Sequence, residues 1–277
     1  MTAQGSALKA PGATLAAIRH QEPLVHNITN FVAMDLAANA LLAIGASPLM
    51  AHAREEVAEV VALAAALTLN IGTFSPAWVA AAELAAGEAR RLGKPWVLDP
   101  VGVGATAFRR DNGRRLSALG PTVVRGNASE IRALAGLAGQ GIGSAGKGVD
   151  ASDSVESAAE AADVLARRLD CVVAVTGEVD RVTDGRRIAT VANGHAMMTR
   201  VTALGCSLTA VTGACLAVQP DAFLATVHAL ALVGVAGEQA AGQATGPGSL
   251  RVAYLDRLYG LSPEELDLAA RIEEAVA

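Results

Sequence analysis

The chain has 277 residues, 52% of them hydrophobic, with 28 glycines and only 3% aromatics, so a sizeable core is available and Ala, Val and Leu must fill it. A net charge of −5 with scattered Lys and Arg excludes a nucleic-acid platform, and three cysteines without repeated spacing exclude a disulfide framework and a zinc site. The first twenty residues lack the pattern of a signal peptide, and the apolar stretches near 204–218 and 222–237 are read as buried helices rather than membrane spans. A cytoplasmic protein that binds no membrane and no nucleic acid is expected.

In chain order, short apolar runs at 24–27, 47–50, 67–70, 96–99, 122–125 and 171–176 read as buried strands. Helical patterns at 31–44, 54–66, 75–92, 109–119, 128–135 and 154–169 alternate with them. That rhythm predicts an α/β fold with a largely parallel central sheet and helices on both faces. Asp184-Gly185, between "DRVT" and "RRIATV", predicts a hairpin at the sheet edge. From Cys206 onward the alternation stops and a helical C-terminal portion follows, near 206–217, 222–241, 248–259 and 263–274. The Gly/Ser-rich stretch at about 136–154 is read as a mobile loop inside one domain spanning 1–277, because the alternation resumes after it.

In a parallel sheet of this kind, ligands bind beyond the carboxyl ends of the strands. The candidates there are His26, Asn27, Thr29, Asn30, Met50, Asn70, Gly72, Asp99, Gly102, Arg125, Asn127, Glu130, Thr176 and Gly177. In "VLDPVGVGAT", Asp99 ends a strand and can help hold Mg²⁺ through water, or can cap local turn amides. In "VVRGNASEIRAL", Arg125 can reach a nucleotide phosphate, while Glu130 can serve a metal or close an Asn-x-x-Glu capping box. Thr176-Gly177 offers a hydroxyl and a free amide to phosphate, or is an ordinary strand exit.

The stretch "TALGCSLTAVTGA" carries Cys206 into an apolar helix. A helix starting there would aim the amides of residues 203–206 at one spot, an anion hole, and its dipole would lower the thiol pKa. Alternatively Cys206 is a small apolar residue in the first turn, as Cys171 and Cys215 are core residues inside apolar runs.

Taken in order, "HNITNFVAMDLAANALLAIGASPLM", "LNIGT", "LDPVGVGAT", "RGNASEI", "AVTGEVD" and "VTALGCSLTAVTGA" resemble the hydroxyethylthiazole kinase family of the ribokinase-like superfamily. The resemblance runs from about residue 15 to "GPGSLRVAYLDRLYGL". It implies ATP-dependent phosphorylation of the hydroxyl of 4-methyl-5-(2-hydroxyethyl)thiazole with Mg²⁺, by a homotrimer whose thiazole site lies at a subunit interface. It further implies substrate contacts from Met50, Asn27 and Ala203, ATP binding by Arg125 and Thr176, metal binding by Asp99 and Glu130, and catalysis by Cys206 with Gly205.

In one respect the chain departs from that pattern. The family's loop reads Gly-Thr-Gly-Cys, whereas here it is Ala203-Leu204-Gly205-Cys206, with a Cβ where Gly would permit positive φ. Other readings are a kinase of another vitamin-precursor alcohol, an ATP-dependent repair dehydratase of the same fold, a Cys206 hydrolase or acyltransferase with His195 as base, and a nucleotide-binding regulator without turnover.

Overall fold

Strands β1 (Leu24–Ile28), β2 (Ser47–Leu49), β3 (Ala66–Asn70), β4 (Trp96–Asp99), β5 (Val123–Asn127) and β6 (Val172–Thr176) run parallel in the order β2-β1-β3-β4-β5-β6. The computed structural model describes residues 7–139 and 155–275. Antiparallel β7 (Asp180–Thr183), β8 (Ile188–Val191) and β9 (Ile272–Ala275) complete a sheet of nine strands among the described residues.

Side-chain alternation along each strand feeds two cores. Val25, Val97, Val123, Val172 and Ala174 pack under α1 (Pro11–Gln21), α2 (Met34–Ala43), α8 (Leu204–Val218), α9 (Ala222–Ala241) and α10 (Pro247–Gly260). Their neighbours Ile28, Leu98, Val124, Val173 and Val175 face the other way. They pack under α3 (Val57–Leu63), α4 (Pro76–Arg91), α5 (Ala107–Ser117), α6 (Ala128–Gly139) and α7 (Val155–Leu169). The aromatic-poor composition is met by close packing: Gly213 of α8 lies where a Cβ would come within 2.6 Å of Thr68 and 3.1 Å of Val25.

The elements depart from the sequence expectation at several places. Helix α2 begins at Met34 rather than 31, because the Asn30 side chain accepts from the amides of Val32 and Ala33 and turns the chain first. Helix α3 stops at Leu63, since Ala65 already donates to Leu24 O and Ala66 pairs with Val25 in the sheet. The unpredicted α1 has Pro11 in its first turn, and Gly12 lets it approach Pro263 closely. The hairpin forms, with Gly185 at φ 83°, but it is not the edge. Where a helix was expected over 263–274, α11 (Pro263–Ala269) ends early and β9 adds to β8, burying Ile272 while its glutamates lie on an outermost strand. Helix α9 spans the residues its sequence pattern indicated and is long and apolar enough to cross a membrane, yet 78% of its most apolar window is buried within the fold. Of the expected loop at 136–154, residues 136–139 are the last turn of α6 and the remainder lies outside the described residues.

Candidate active site

The sheet order reverses at β1, which has β2 on one side and β3 on the other, so the crevice of an open α/β sheet falls there. Across the carboxyl edge stand, in order, Met50 just past β2, Asn30 past β1, Asn70 on β3, Asp99 on β4, Arg125 on β5 and Thr176 on β6. Helix α8 packs on β1, β3 and β4 and brings its N-terminus to this row.

Asp99 is the centre of the row. It is fully buried, and its Oδ2 accepts from Asn70 Nδ2 at 2.7 Å and Thr209 Oγ1 at 2.7 Å, with Arg125 Nη1 3.5 Å away. Its Oδ1 is buried without a partner. Burial pushes the Asp99 pKa up to about 6, against the pull of Arg125, with the charge of Glu130 adding to the rise. Arg125 donates through Nη2 to Thr176 Oγ1 at 3.1 Å, and its Nε is also buried and unpartnered. The guanidinium lies against the start of α8: a Cβ on Gly205 would sit 3.1 Å from Nη2. Asp99, Arg125, Thr176 and Gly205 are thus in one place.

Glu130 plays two parts at once. With Asn127 it closes the capping box of α6: Asn127 Oδ1 accepts from Glu130 N at 3.0 Å, and Glu130 Oε2 accepts from Asn127 N at 2.9 Å. Its other oxygen accepts from Gly102 N at 2.9 Å, which ties it to the loop after Asp99. That loop is also held by Arg109, whose guanidinium donates to Val101 O at 2.5 Å and to the carbonyls of Ile71 and Gly72.

Helix α8 begins at Leu204, two residues earlier than the sequence pattern indicated, and no side chain caps it. The amides of Leu204, Gly205 and Cys206 have no acceptor within the helix, and this turn lies beside Arg125, Asn30 and Asn70. Ala203 is the N-cap residue and has φ 69°, the left-handed region that Gly adopts freely. Leu204 is 4% exposed and joins the core, which accounts for a side chain of that type beside the site. The Ala203→Gly substitution is therefore expected to stabilise the fold by about 1 kcal/mol, roughly 2 °C in melting temperature. Thermal melting of the two proteins checks this, and equal midpoints would mean that Ala203 bears no strain.

Cys206 Sγ accepts from Asn30 Nδ2 at 3.3 Å and Asn70 Nδ2 at 3.2 Å. Its pKa is raised, not lowered as the helix dipole alone implied: burial and the Asp99 charge outweigh Asn30, Arg125 and Asn70. No histidine is hydrogen-bonded to it among the described residues. His195 instead caps the 3₁₀ turn Ala196–Arg200 by accepting from Met197 N, so the base needed for a cysteine nucleophile is not at the thiol.

The structure does not join every candidate to this cluster. Asn27 is buried in the sheet, where it donates to Val25 O and accepts from Thr68 Oγ1, with one N–H and one lone pair still uncommitted. Met50 lies at the far end of the row, beyond β1. Asn30 and Asn70 hold the thiol. Both stood among the strand-end candidates, but neither belonged to the sets implied for catalysis or binding. Thr209 was missed, although it lies three residues after Cys206 and so on the same face of α8. Among the described residues no three His, Cys, Asp or Glu side chains group as a metal site.

Residues 15–264 match the model of the Hydroxyethylthiazole kinase family. A hydroxyethylthiazole kinase of Cereibacter sphaeroides (strain ATCC 17029 / ATH 2.4.9) is 59% identical, over 95% of this chain and 98% of that one. One of Rhizobium leguminosarum bv. trifolii (strain WSM2304) is 55% identical, over 96% and 98%. The solved structure of a hydroxyethylthiazole kinase protein from Pyrococcus horikoshii OT3 superposes with a TM-score of 0.88 at 43% identity, covering 96% of this chain and 98% of that one. A Staphylococcus aureus pyridoxal kinase in complex with ADP shares the fold alone, at TM-score 0.65 and 15% identity, covering 91% of this chain and 99% of that one.

Proposed function

The chain belongs to the hydroxyethylthiazole kinase family, and from that premise we propose that it transfers the γ-phosphoryl group of ATP to the hydroxyl of 4-methyl-5-(2-hydroxyethyl)thiazole, supplying thiazole phosphate for thiamine synthesis. The observation that carries this reading is a pair of buried, opposite, unpartnered atoms, Asp99 Oδ1 and Arg125 Nε, beneath the uncapped start of α8. Buried polar groups without partners are rare, and a cation and an anion complete these two. ADP release measured with and without the thiazole alcohol tests the reading. Release that does not depend on the alcohol would defeat it.

In this reading Arg125 and Thr176 hold the nucleotide phosphates, and the amides of Leu204, Gly205 and Cys206 with the α8 dipole stabilise charge on the transferring group. Little covalent help is needed, because phosphoryl transfer has a loose transition state. The residues suit Mg²⁺: Asp99 Oδ1 is free, and the Glu130 oxygens keep spare lone pairs after accepting one amide each. Two carboxylates suffice for an ion that retains most of its water, and when bound it would neutralise the β- and γ-phosphate oxygens. Cys206, protonated by its surroundings, orients the alcohol rather than taking its proton.

The thiazole ring needs an apolar wall. Met50 can supply part of one, and His52, two residues on, packs on Trp78, which also meets Phe31 and Phe74, at 4.2, 4.9 and 6.1 Å between ring centroids. Phe31 is 68% and Val32 57% exposed in the single chain. We assign that exposed edge to contacts between subunits of a homotrimer, with the thiazole between them, and the three unpaired cysteines to the reducing cytoplasm. Analytical ultracentrifugation showing only monomer would remove the shared site.

A further inference from the structure

The two amides on Cys206 have only one orientation available. Asn30 Oδ1 accepts from the amides of Val32 and Ala33, both at 3.0 Å, so its Nδ2 must face Asn70 Oδ1 at 2.9 Å and the sulfur. Asn70 Oδ1 accepts from Asn30 and from Gly72 N at 2.9 Å, so its Nδ2 must face Asp99 Oδ2 and the sulfur. Flipping Asn70 would set its carbonyl against a carboxylate. Gly72 completes the arrangement, since a Cβ there would come within 2.9 Å of Asn30 Nδ2.

The sulfur therefore accepts twice, on the side of β1 and β3, and its own proton is directed away from both amides. We propose that Asn30 and Asn70 are positioning residues that fix Cys206 as a hydrogen-bond donor toward the substrate oxygen in the crevice. The donor role rests on the site being the phosphoryl-transfer centre. Asn70 further links the thiol to Asp99 through a single amide group, so the sulfur and the metal-binding carboxylate keep one spacing.

The test is the isosteric Asn30→Asp substitution, which keeps the acceptor for Val32 and Ala33 and replaces the Nδ2 that serves the sulfur and Asn70 Oδ1 by a carboxylate oxygen. A carboxylate at residue 30 draws the S–H toward itself. In the full-length protein kcat is expected to fall about tenfold. In a Cys206→Ala background, itself slowed about tenfold, the same substitution should cost only the part that runs through Asn70, about threefold or less in kcat, with the KM for ATP steady in both. Equal losses in the two backgrounds, or no loss in either, would overturn the proposal, because a merely structural role is additive. Alkylation of Cys206 by iodoacetamide gives a readout without turnover, Cys171 and Cys215 being 7% and 1% exposed. It should slow severalfold in Asn30→Asp, and an unchanged rate would overturn the contact. A parent protein that releases no ADP with the thiazole alcohol defeats the functional reading instead, and the alkylation rates then still decide whether the two amides hold the sulfur.

Discussion

Asp99→Asn is expected to lower kcat by about 10²–10³-fold while leaving the protein folded. The amide is isosteric, and its oxygen can keep the bonds from Asn70 and Thr209. What disappears is the negative charge that faces Arg125 and that would help hold Mg²⁺. Stability should move the other way with pH. Burial raises the Asp99 pKa from 3.8 to about 6, so between these values the folded state binds more protons than the unfolded state. Stability of the parent therefore falls as pH rises through that window, by up to roughly 3 kcal/mol, whereas the Asn variant has no such slope. Melting temperatures from pH 4 to 8 should show the variant gaining on the parent as pH rises. A flat difference would mean that Asp99 is not held charged at a cost. Full activity in the variant would remove it from the site.

The sheet was legible because its strands are short apolar runs ending in polar residues. Asp99, Arg125 and Thr176 could be placed at one edge from that pattern alone, and the structure puts them within hydrogen-bonding or ion-pairing reach of one another. Less legible were features set by tertiary contact. Glu273 and Glu274 have no strand propensity, and β9 forms because Ile272 is buried and β8 offers an open edge. The pull on the Cys206 thiol was misjudged in sign because the helix dipole can be read locally, while Asp99 arrives from 107 positions earlier in the chain. The roles of Asn30 and Asn70 depend on which way each amide faces, and no spacing rule encodes that. Ala203 shows the opposite case: a single residue type, out of place for its backbone angle, was visible before any coordinates.

Arg125→Lys is expected to raise the KM for ATP by about 10–100-fold, with a smaller loss in kcat. The guanidinium serves three neighbours at once: it donates to Thr176 Oγ1, faces Asp99 at 3.5 Å, and lies on the backbone at Gly205. A lysine ammonium is a single point on a flexible stem. It can approach the Asp99 carboxylate or Thr176, but it cannot span both and still present a planar face to phosphate. Gly205→Ala probes the same contact from the other side. Its Cβ would stand 3.1 Å from Nη2, so the guanidinium must shift by a few tenths of an ångström or tilt away from the helix start. The two substitutions should then fail to add: once Lys replaces Arg125, the methyl at residue 205 has little left to displace. Steady-state kinetics of the single and double variants, with ATP varied at saturating alcohol, measure this. Independent, additive effects would separate Arg125 from the start of α8 and leave the nucleotide to be held by Thr176 and the helix amides alone.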